Sequence, residues 1–315
     1  MDDELNQYLS SLDPYSKYLS PEKNDFFKKR QALKQFSIGI NILVGEDNML
    51  VVPLKNKPAY KSGLTQAQYL KTLNAQKIAL DNFDSYRFLT ELELNQKVHI
   101  EVSSSLARAT TQTYQVKPAK MDNPSIQYIN GTYPIIRVYR FDDRDKTQEK
   151  LKKYVQQSLK AKKPIIIDLR YCPGGSFYGA IDATSWFLKP KLPVAYLKTA
   201  KSDNLTKFES FSGKVVKQQK VYLWTSPYTA SAAEVFIRAL QAHSDHAVVI
   251  GTETKGKCLS QQAFEFEDGS SLTLSVYEIL TPNQQLCEGK GIKPDIAIKS
   301  NNILNDQDYL QYSKK

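Results

Sequence analysis

The stretch Pro164-Ile165-Ile166-Ile167-Asp168-Leu169-Arg170-Tyr171-Cys172-Pro173-Gly174-Gly175 decides the fold. Its apolar run opens at a proline and leaves through Pro-Gly-Gly. Such a run suits a strand buried on both faces, and strands of that kind belong to parallel sheets covered by helices. The neighbourhood agrees. Upstream, Ile135–Tyr139 reads as a strand and Lys146–Lys160 as a helix with a polar outer face. Downstream come a helix over about 177–188 stopped by Pro190, a strand at Val221–Trp224, a helix over about 231–243 and a strand at Val248–Gly251. Strand and helix alternate, so the expectation for residues 121–315 is α/β architecture, with the site in loops at the strand ends.

The remainder reads differently. Over 36–120, short apolar runs at Ile38–Val44, Met49–Leu54, Tyr69–Leu73, Val98–Val102 and Thr113–Val116 predict a small, mostly β unit. A short helix over 58–64 ends at glycine. Residues 1–34 predict helix, with Leu5, Tyr8, Leu9 and Leu12 at helical spacing and Pro14 and Pro21 as interruptions. The partition is thus a helical segment 1–34, a β unit 35–120 and an α/β core 121–315.

Composition bounds the function. Of 315 residues, 41% are hydrophobic and 24% charged, and the net charge is +10 from 35 Lys and 8 Arg against 33 acidic residues. The basic residues are spread along the chain and are mostly lysine, whereas nucleic-acid readers cluster charge and favour arginine. The expectation is no nucleic acid, and a Lys-rich surface with some attraction to anionic lipid headgroups. No apolar run reaches the roughly 20 residues of a transmembrane helix. The three cysteines contain no C-x-x-C pair, and His99, His243 and His246 complete no zinc set, so neither metal nor cofactor is expected.

Three places carry chemistry. Ser231 follows a strand and a polar turn and opens a helix, where the backbone N–H groups of the first turn can stabilise an oxyanion. Serine is also a favoured helix cap, and capping is its ordinary role there. Lys257, in Gly251-Thr252-Glu253-Thr254-Lys255-Gly256-Lys257-Cys258, can act as a base only if burial or neighbouring charge keeps it neutral. A solvated loop lysine is the plainer alternative. Gly174 and Gly175 free backbone N–H groups to face a ligand, or merely make a turn. Each signal is weak alone, and their order carries the weight.

Taken together the motifs resemble the C-terminal processing (tail-specific) proteases. Leu12-Asp13-Pro14-Tyr15-Ser16-Lys17-Tyr18-Leu19-Ser20-Pro21-Glu22 resembles that family's N-terminal stretch, and Asp168 through Gly175 its DLRxNPGG motif. Ser231-Ala232-Ala233-Glu234 resembles its nucleophile motif, and Gly256-Lys257 with Gln261 its TxGKGxxQ motif. Thr281-Pro282 and Gly289-Lys290-Gly291-Ile292-Lys293-Pro294-Asp295 resemble its ending. The resemblance implies a serine endopeptidase with a ClpP/crotonase-like core. Ser231 is then the nucleophile, Lys257 rather than Lys255 the base, and Gln261 the residue orienting it. The oxyanion hole falls to N–H groups of Ala232 and of Gly174 or Gly175.

It further implies that 35–120 is an inserted PDZ-like domain. Ser37, Ile38, Gly39 and Ile40 would hold the C-terminal carboxylate of a protein or peptide substrate. Ala67-Gln68 and Asn74-Ala75 depart from the PDZ pattern, and Cys172, Ala233 and Cys258 from the core motifs. Cys258 and Cys287 lie in segments bordering the active site in that family, which implies a disulfide between them. It also implies a periplasmic or extracytoplasmic location, with the targeting segment absent. The alternative from another class is a catalytically inactive, PDZ-containing peptide-binding scaffold. Neither substrate nor oligomeric state is legible.

Overall fold

In a computed structural model of the chain, Ile165–Asp168 is a completely buried strand with parallel partners on both sides. The structure describes all residues except 1, 33–35, 79–95, 107–109, 122, 144, 200–201, 212–215, 217–218, 300–302 and 315. It divides into two compact units: residues 1–123, 199–203 and 259–278 form one, and 124–198, 204–258 and 279–315 the other.

The first unit opens with α1 (Asp2–Leu12), β1 (Lys17–Leu19) and α2 (Pro21–Ala32). The strand between Pro14 and Pro21 breaks the helical segment expected from the sequence. Next come β2 (Phe36–Ser37), β3 (Ile40–Val44), β4 (Met49–Pro53), the single helical turn α3 (Pro58–Lys61), β5 (Gln68–Leu73), β6 (Val98–Ser103), β7 (Gln112–Val116) and β8 (Ala119–Lys120). Strands β3 to β7 form an antiparallel sheet in chain order, with β3 and β7 as its edges. Ile40, Ile42, Met49, Val51, Leu73, Val98, Ile100 and Val102 line its core with Ala59 and Leu64. Each strand contributes alternate residues to one face, which is the period the sequence displayed.

The second unit begins with the antiparallel pair β9 (Ile126–Ile129) and β10 (Ile135–Val138). It continues through α4 (Thr147–Lys160), β11 (Ile165–Asp168), α5 (Phe177–Thr184), the strands β12 (Pro193–Thr199) and β13 (Ser202–Glu209), β14 (Val221–Thr225), α6 (Ala232–His243) and β15 (Ala247–Gly251). The excursion β16 (Leu259–Glu265) and β17 (Ser271–Leu280) follows, then β18 (Ile296–Ala297) and α7 (Asp306–Leu310). The central sheet runs β18-β15-β14-β11-β10-β9, parallel from β18 to β10.

Both faces of that sheet are covered, which explains the unbroken apolar run. Ile165 and Ile167 pack with Leu151, Ala180 and Phe236 of the helices, while Ile166 packs with Trp224, Ile250 and Tyr309 on the opposite face. Helix α5 ends at Thr184, a turn earlier than the sequence suggested. The hairpin β16–β17 is antiparallel and groups with the first unit, in which β1 pairs with β17. The linear assignment of 121–315 to one core therefore omits this excursion. Most side chains of β16 are exposed or half-buried, so the strand lacks the apolar alternation that reveals one.

Candidate active site

Strands β11, β14 and β15 end side by side, and the three loops that follow them meet at the carboxyl edge of the sheet, where open α/β sheets place their sites. Serine and threonine side chains stitch the loops together. Thr229 Oγ1 donates to the Leu169 carbonyl at 2.9 Å, Ser226 Oγ to the Arg170 carbonyl at 2.5 Å, and Ala230 N–H to the Cys172 carbonyl at 3.1 Å. The Lys255 N–H donates to the Thr229 carbonyl at 3.0 Å.

Ser231 ends the middle loop as the residue before α6, with φ 56° and ψ −123°. A non-glycine residue with positive φ is uncommon, and such strain clusters at functional sites. The arrangement of strand, strained serine and helix resembles the elbow that exposes a nucleophile in α/β-hydrolases. Ala232 and Ala233, both buried, let the first turn of α6 sit close under the loops.

The glycine loop is built against Ser231. Gly174 has φ 117°, and a Cβ there would stand 2.8 Å from the Cβ of Ser231 and 3.2 Å from the nitrogen of Ala232. At Gly175 (φ 126°) a Cβ would fall 2.1 Å from the Phe141 carbonyl oxygen. Phe141 fixes this loop by donating to the Gly174 carbonyl at 2.9 Å and accepting from Ser176 N–H at 2.8 Å. Both positions therefore require glycine, beyond what a simple turn would ask. The structure brings Gly174, Ser231 and Ala232 together.

Glu234 joins the backbones of Ser231 and Lys257, a role sequence reasoning missed. Its side chain is 1% exposed. Oε2 accepts from Ser231 N–H at 2.9 Å and from Lys257 N–H at 2.8 Å, while Oε1 accepts from Gly256 N–H at 2.8 Å and Thr254 Oγ1 at 2.5 Å. The two residues are thus held with their backbone nitrogens on a single oxygen. Burial raises the Glu234 carboxyl above its usual range, although the four donors pull the other way. The available signal was its place three residues after Ser231, the spacing of a capping box. Lys257 is half-buried and Lys255 exposed.

The loop carrying Lys257 is also held from outside. Thr254 N–H donates to the Ile292 carbonyl at 3.2 Å and Ile292 N–H to Thr254 Oγ1 at 2.7 Å. A Cβ at Gly256 (φ 79°) would meet the nitrogen of Gly291 at 2.8 Å. Cys258 and Cys287 form the disulfide that the family resemblance implied, and Cys172 is free and buried. Burial pushes the Cys172 thiol up to about 12, so it stays protonated.

Asp168 and Arg170, expected as part of a site motif, form a clasp beneath the loops. Arg170, 0% exposed, donates to Asp168 from Nε at 2.9 Å and from Nη2 at 2.8 Å, to the Ile303 carbonyl at 2.9 Å, and to Asp306 of α7. Arg137 Nε donates to Asp168 at 2.7 Å. Burial would raise the Asp168 carboxyl, but Arg170 and Arg137 hold it below the usual range. Trp224 and Tyr309 lie 4.9 and 4.5 Å from the guanidinium.

Gln261 and the Ser37–Ile40 stretch belong to the first unit. The Gln261 side-chain nitrogen donates to the Leu259 carbonyl at 2.9 Å and to Ser275 Oγ at 3.2 Å. Ser275 Oγ in turn donates to Asp13 at 2.9 Å, so the first and fourth sequence motifs meet. Ser37 Oγ accepts from Gly39 N–H at 3.0 Å, and Ile38 and Ile40 are buried, so ligand contacts at this loop would be made by backbone. Ile38 lies before the edge strand β3 rather than within it. Among the described residues no group of three or more His, Cys, Asp or Glu could hold a metal ion, and no helix is long and apolar enough to cross a membrane.

Comparisons with known proteins converge on one family. The description of peptidase family S41 matches residues 132–298. A Staphylococcus aureus (strain N315) protein named a probable CtpA-like serine protease is 29% identical over 290 residues, covering 91% of this chain and 57% of the relative. A Staphylococcus haemolyticus protein of the same name is 25% identical over 291 residues, covering 91% of this chain and 58% of its own length. The chain therefore spans little more than half the length of these relatives. Among solved structures, a photosystem II D1 C-terminal processing protease superposes with a TM-score of 0.70 at 18% identity, covering 95% of this chain and 82% of that one. A Bacteroides fragilis structure described as an S41 protease gives 0.63 at 17% identity, covering 96% of this chain and 86% of that one.

Proposed function

The chain belongs to peptidase family S41, and on that premise we propose that it is a serine endopeptidase working through a Ser231–Lys257 dyad. The observation that carries the reading is the strained Ser231 elbow tied through buried Glu234 to the backbone of Lys257. Lys257, neutral when shielded, takes the proton of Ser231 as its Oγ attacks the scissile carbonyl. The oxyanion is stabilised by N–H groups of Ala232 and of Gly174 or Gly175. As the tetrahedral species collapses, the Lys257 ammonium gives that proton to the leaving nitrogen, which departs as the amine product and leaves an acyl-enzyme with Lys257 neutral again. Water, deprotonated by Lys257, then hydrolyses the ester. The family resemblance gives Gln261 the orienting role, and its amide is held by Ser275, which is held in turn by Asp13.

The finer reading is a ClpP/crotonase-like core with the β unit at 36–120 as a PDZ-like domain. The edge strand β3 begins directly after Ser37-Ile38-Gly39, an arrangement that suits addition of a peptide strand with its terminal carboxylate at the loop. Substrates would be proteins with an accessible C-terminus, cleaved near that end, outside the cytoplasm. The Cys258–Cys287 bond supports the location, because disulfides persist in oxidising compartments. The lysine-rich surface gives some attraction to anionic lipid headgroups.

The test compares an unstructured peptide carrying a free C-terminal carboxylate with the same peptide amidated. Wild type should cleave the free acid faster, and Ser231→Ala should cleave neither. Equal rates on acid and amide would refute C-terminal selection, and cleavage by Ser231→Ala would refute the nucleophile. The inactive scaffold predicts binding without turnover in wild type.

A further inference from the structure

The chain leaves the α/β unit at Cys258, one residue after Lys257, runs out through the β16–β17 hairpin and returns at Ile279. The neck of that excursion is closed twice. Ile279 N–H donates to the Cys258 carbonyl at 2.7 Å, and the Cys258–Cys287 disulfide bridges the two sides. Cys287 also begins a segment that follows the base loop backwards. Glu288 accepts from Cys258 N–H at 2.6 Å, Gly289 N–H donates to the Gly256 carbonyl at 2.9 Å, and Ile292 exchanges hydrogen bonds with Thr254. The backbone at Lys257 is therefore held from within by Glu234 and from outside by this wrapping segment. Among the described residues, the disulfide is the one covalent cross-link between base loop and wrap.

We propose that the Cys258–Cys287 disulfide is a positioning element for the base, and that the protease is active only while this bond is oxidised. The proposal rests on Lys257 being the base. Reduction by a dithiol adds two electrons and two protons to the sulfur–sulfur bond, giving two cysteine thiols, and converts the dithiol to its cyclic disulfide. The loop is then held at its outer side by hydrogen bonds alone, at the point where the hairpin departs. Lys257 loses its fixed alignment with Ser231, and displacement of a catalytic group by about 1 Å costs on the order of a hundredfold in rate. Cys258 and Cys287 are buried in a large apolar core to which β11, β14, α5 and α6 contribute, and the packing of those elements persists without the bond.

The experiment measures acylation of Ser231 by a small p-nitrophenyl ester, which releases p-nitrophenolate and needs the nucleophile and its base but no peptide groove. Oxidised wild type, wild type reduced with dithiothreitol and the Cys258→Ser/Cys287→Ser double variant are compared. Alkylation and mass spectrometry count the thiols, and circular dichroism reports folding. Acylation should slow by about tenfold or more in the reduced protein and the double variant, with the spectrum preserved, and recover on reoxidation of wild type. For a peptide substrate, kcat should fall with KM nearly unchanged. Wild-type acylation by the double variant, or a loss matching its unfolded fraction, would overturn the positioning role. A bond that dithiothreitol leaves intact in the folded protein would overturn the redox dependence. If oxidised wild type is itself not acylated at Ser231, it is the assignment of the nucleophile that fails.

Discussion

Replacing Glu234 with Gln probes the join between Ser231 and Lys257. The carboxylate accepts four hydrogen bonds, two on each oxygen. Gln keeps one oxygen and turns the other into an NH2 group facing two donors. If that group replaces Oε1, the Thr254 hydroxyl can turn and accept from it through its second lone pair, and the Gly256 N–H is stranded. If it replaces Oε2, the N–H groups of Ser231 and Lys257 are stranded. One bond to a charged acceptor is lost in the first orientation and two in the second, each contributing about 1.5–3 kcal/mol. Relief of the buried charge returns part of this, leaving a net destabilisation of roughly 1–4 kcal/mol. Urea denaturation should show a lower midpoint at unchanged slope. In the fraction still folded, Ser231 acylation should fall on the order of a hundredfold as the pair loses alignment. A destabilisation below about 0.5 kcal/mol with a wild-type acylation rate would refute the reasoning.

Gly174→Ala places a methyl 2.8 Å from the Ser231 Cβ at a φ of 117°, so peptide cleavage should be lost; a wild-type kcat would remove this loop from the site. Arg170→Met leaves buried Asp168, and Asp306, to Arg137 alone and should cost about 3 kcal/mol by denaturant titration, whereas a change under about 1 kcal/mol would mean the clasp is dispensable. The acid side of the stability curve should show Asp306, whose carboxyl Arg137 and Arg170 hold down to about 2 against the pull of burial. Its contribution is complete above the unfolded value of 3.8 and is lost as pH falls towards 2. Asp306→Asn should lower stability at neutral pH and flatten that limb. Glu234 works in the opposite sense, being raised by burial: its ionisation removes stability as pH climbs above 4.5, and Glu234→Gln should abolish that fall.

Much of this was legible because burial writes itself into residue choice. The Ile165–Leu169 run, the alternation in β3 and β6, and the glycines at 174, 175 and 256 all follow from local demands on packing or backbone angle. The β16–β17 hairpin was not legible, since its side chains are largely exposed and its partner β1 lies more than two hundred residues away in sequence. The clasp of Arg170 with Asp306, separated by 136 residues, was hidden for the same reason. Glu234 had a readable spacing, but three of its four donors arrive from the loop at 254–257 and are set by tertiary structure alone.

The central claim is that Ser231 attacks and Lys257 takes its proton. It is tested most directly by the cleavage of a denatured protein by wild type, Ser231→Ala, Lys257→Ala and Lys255→Ala, each shown to be folded. Wild type and Lys255→Ala should degrade the substrate, while Ser231→Ala and Lys257→Ala should leave it intact. Cleavage by Ser231→Ala, or an active Lys257→Ala beside an inactive Lys255→Ala, would contradict the account.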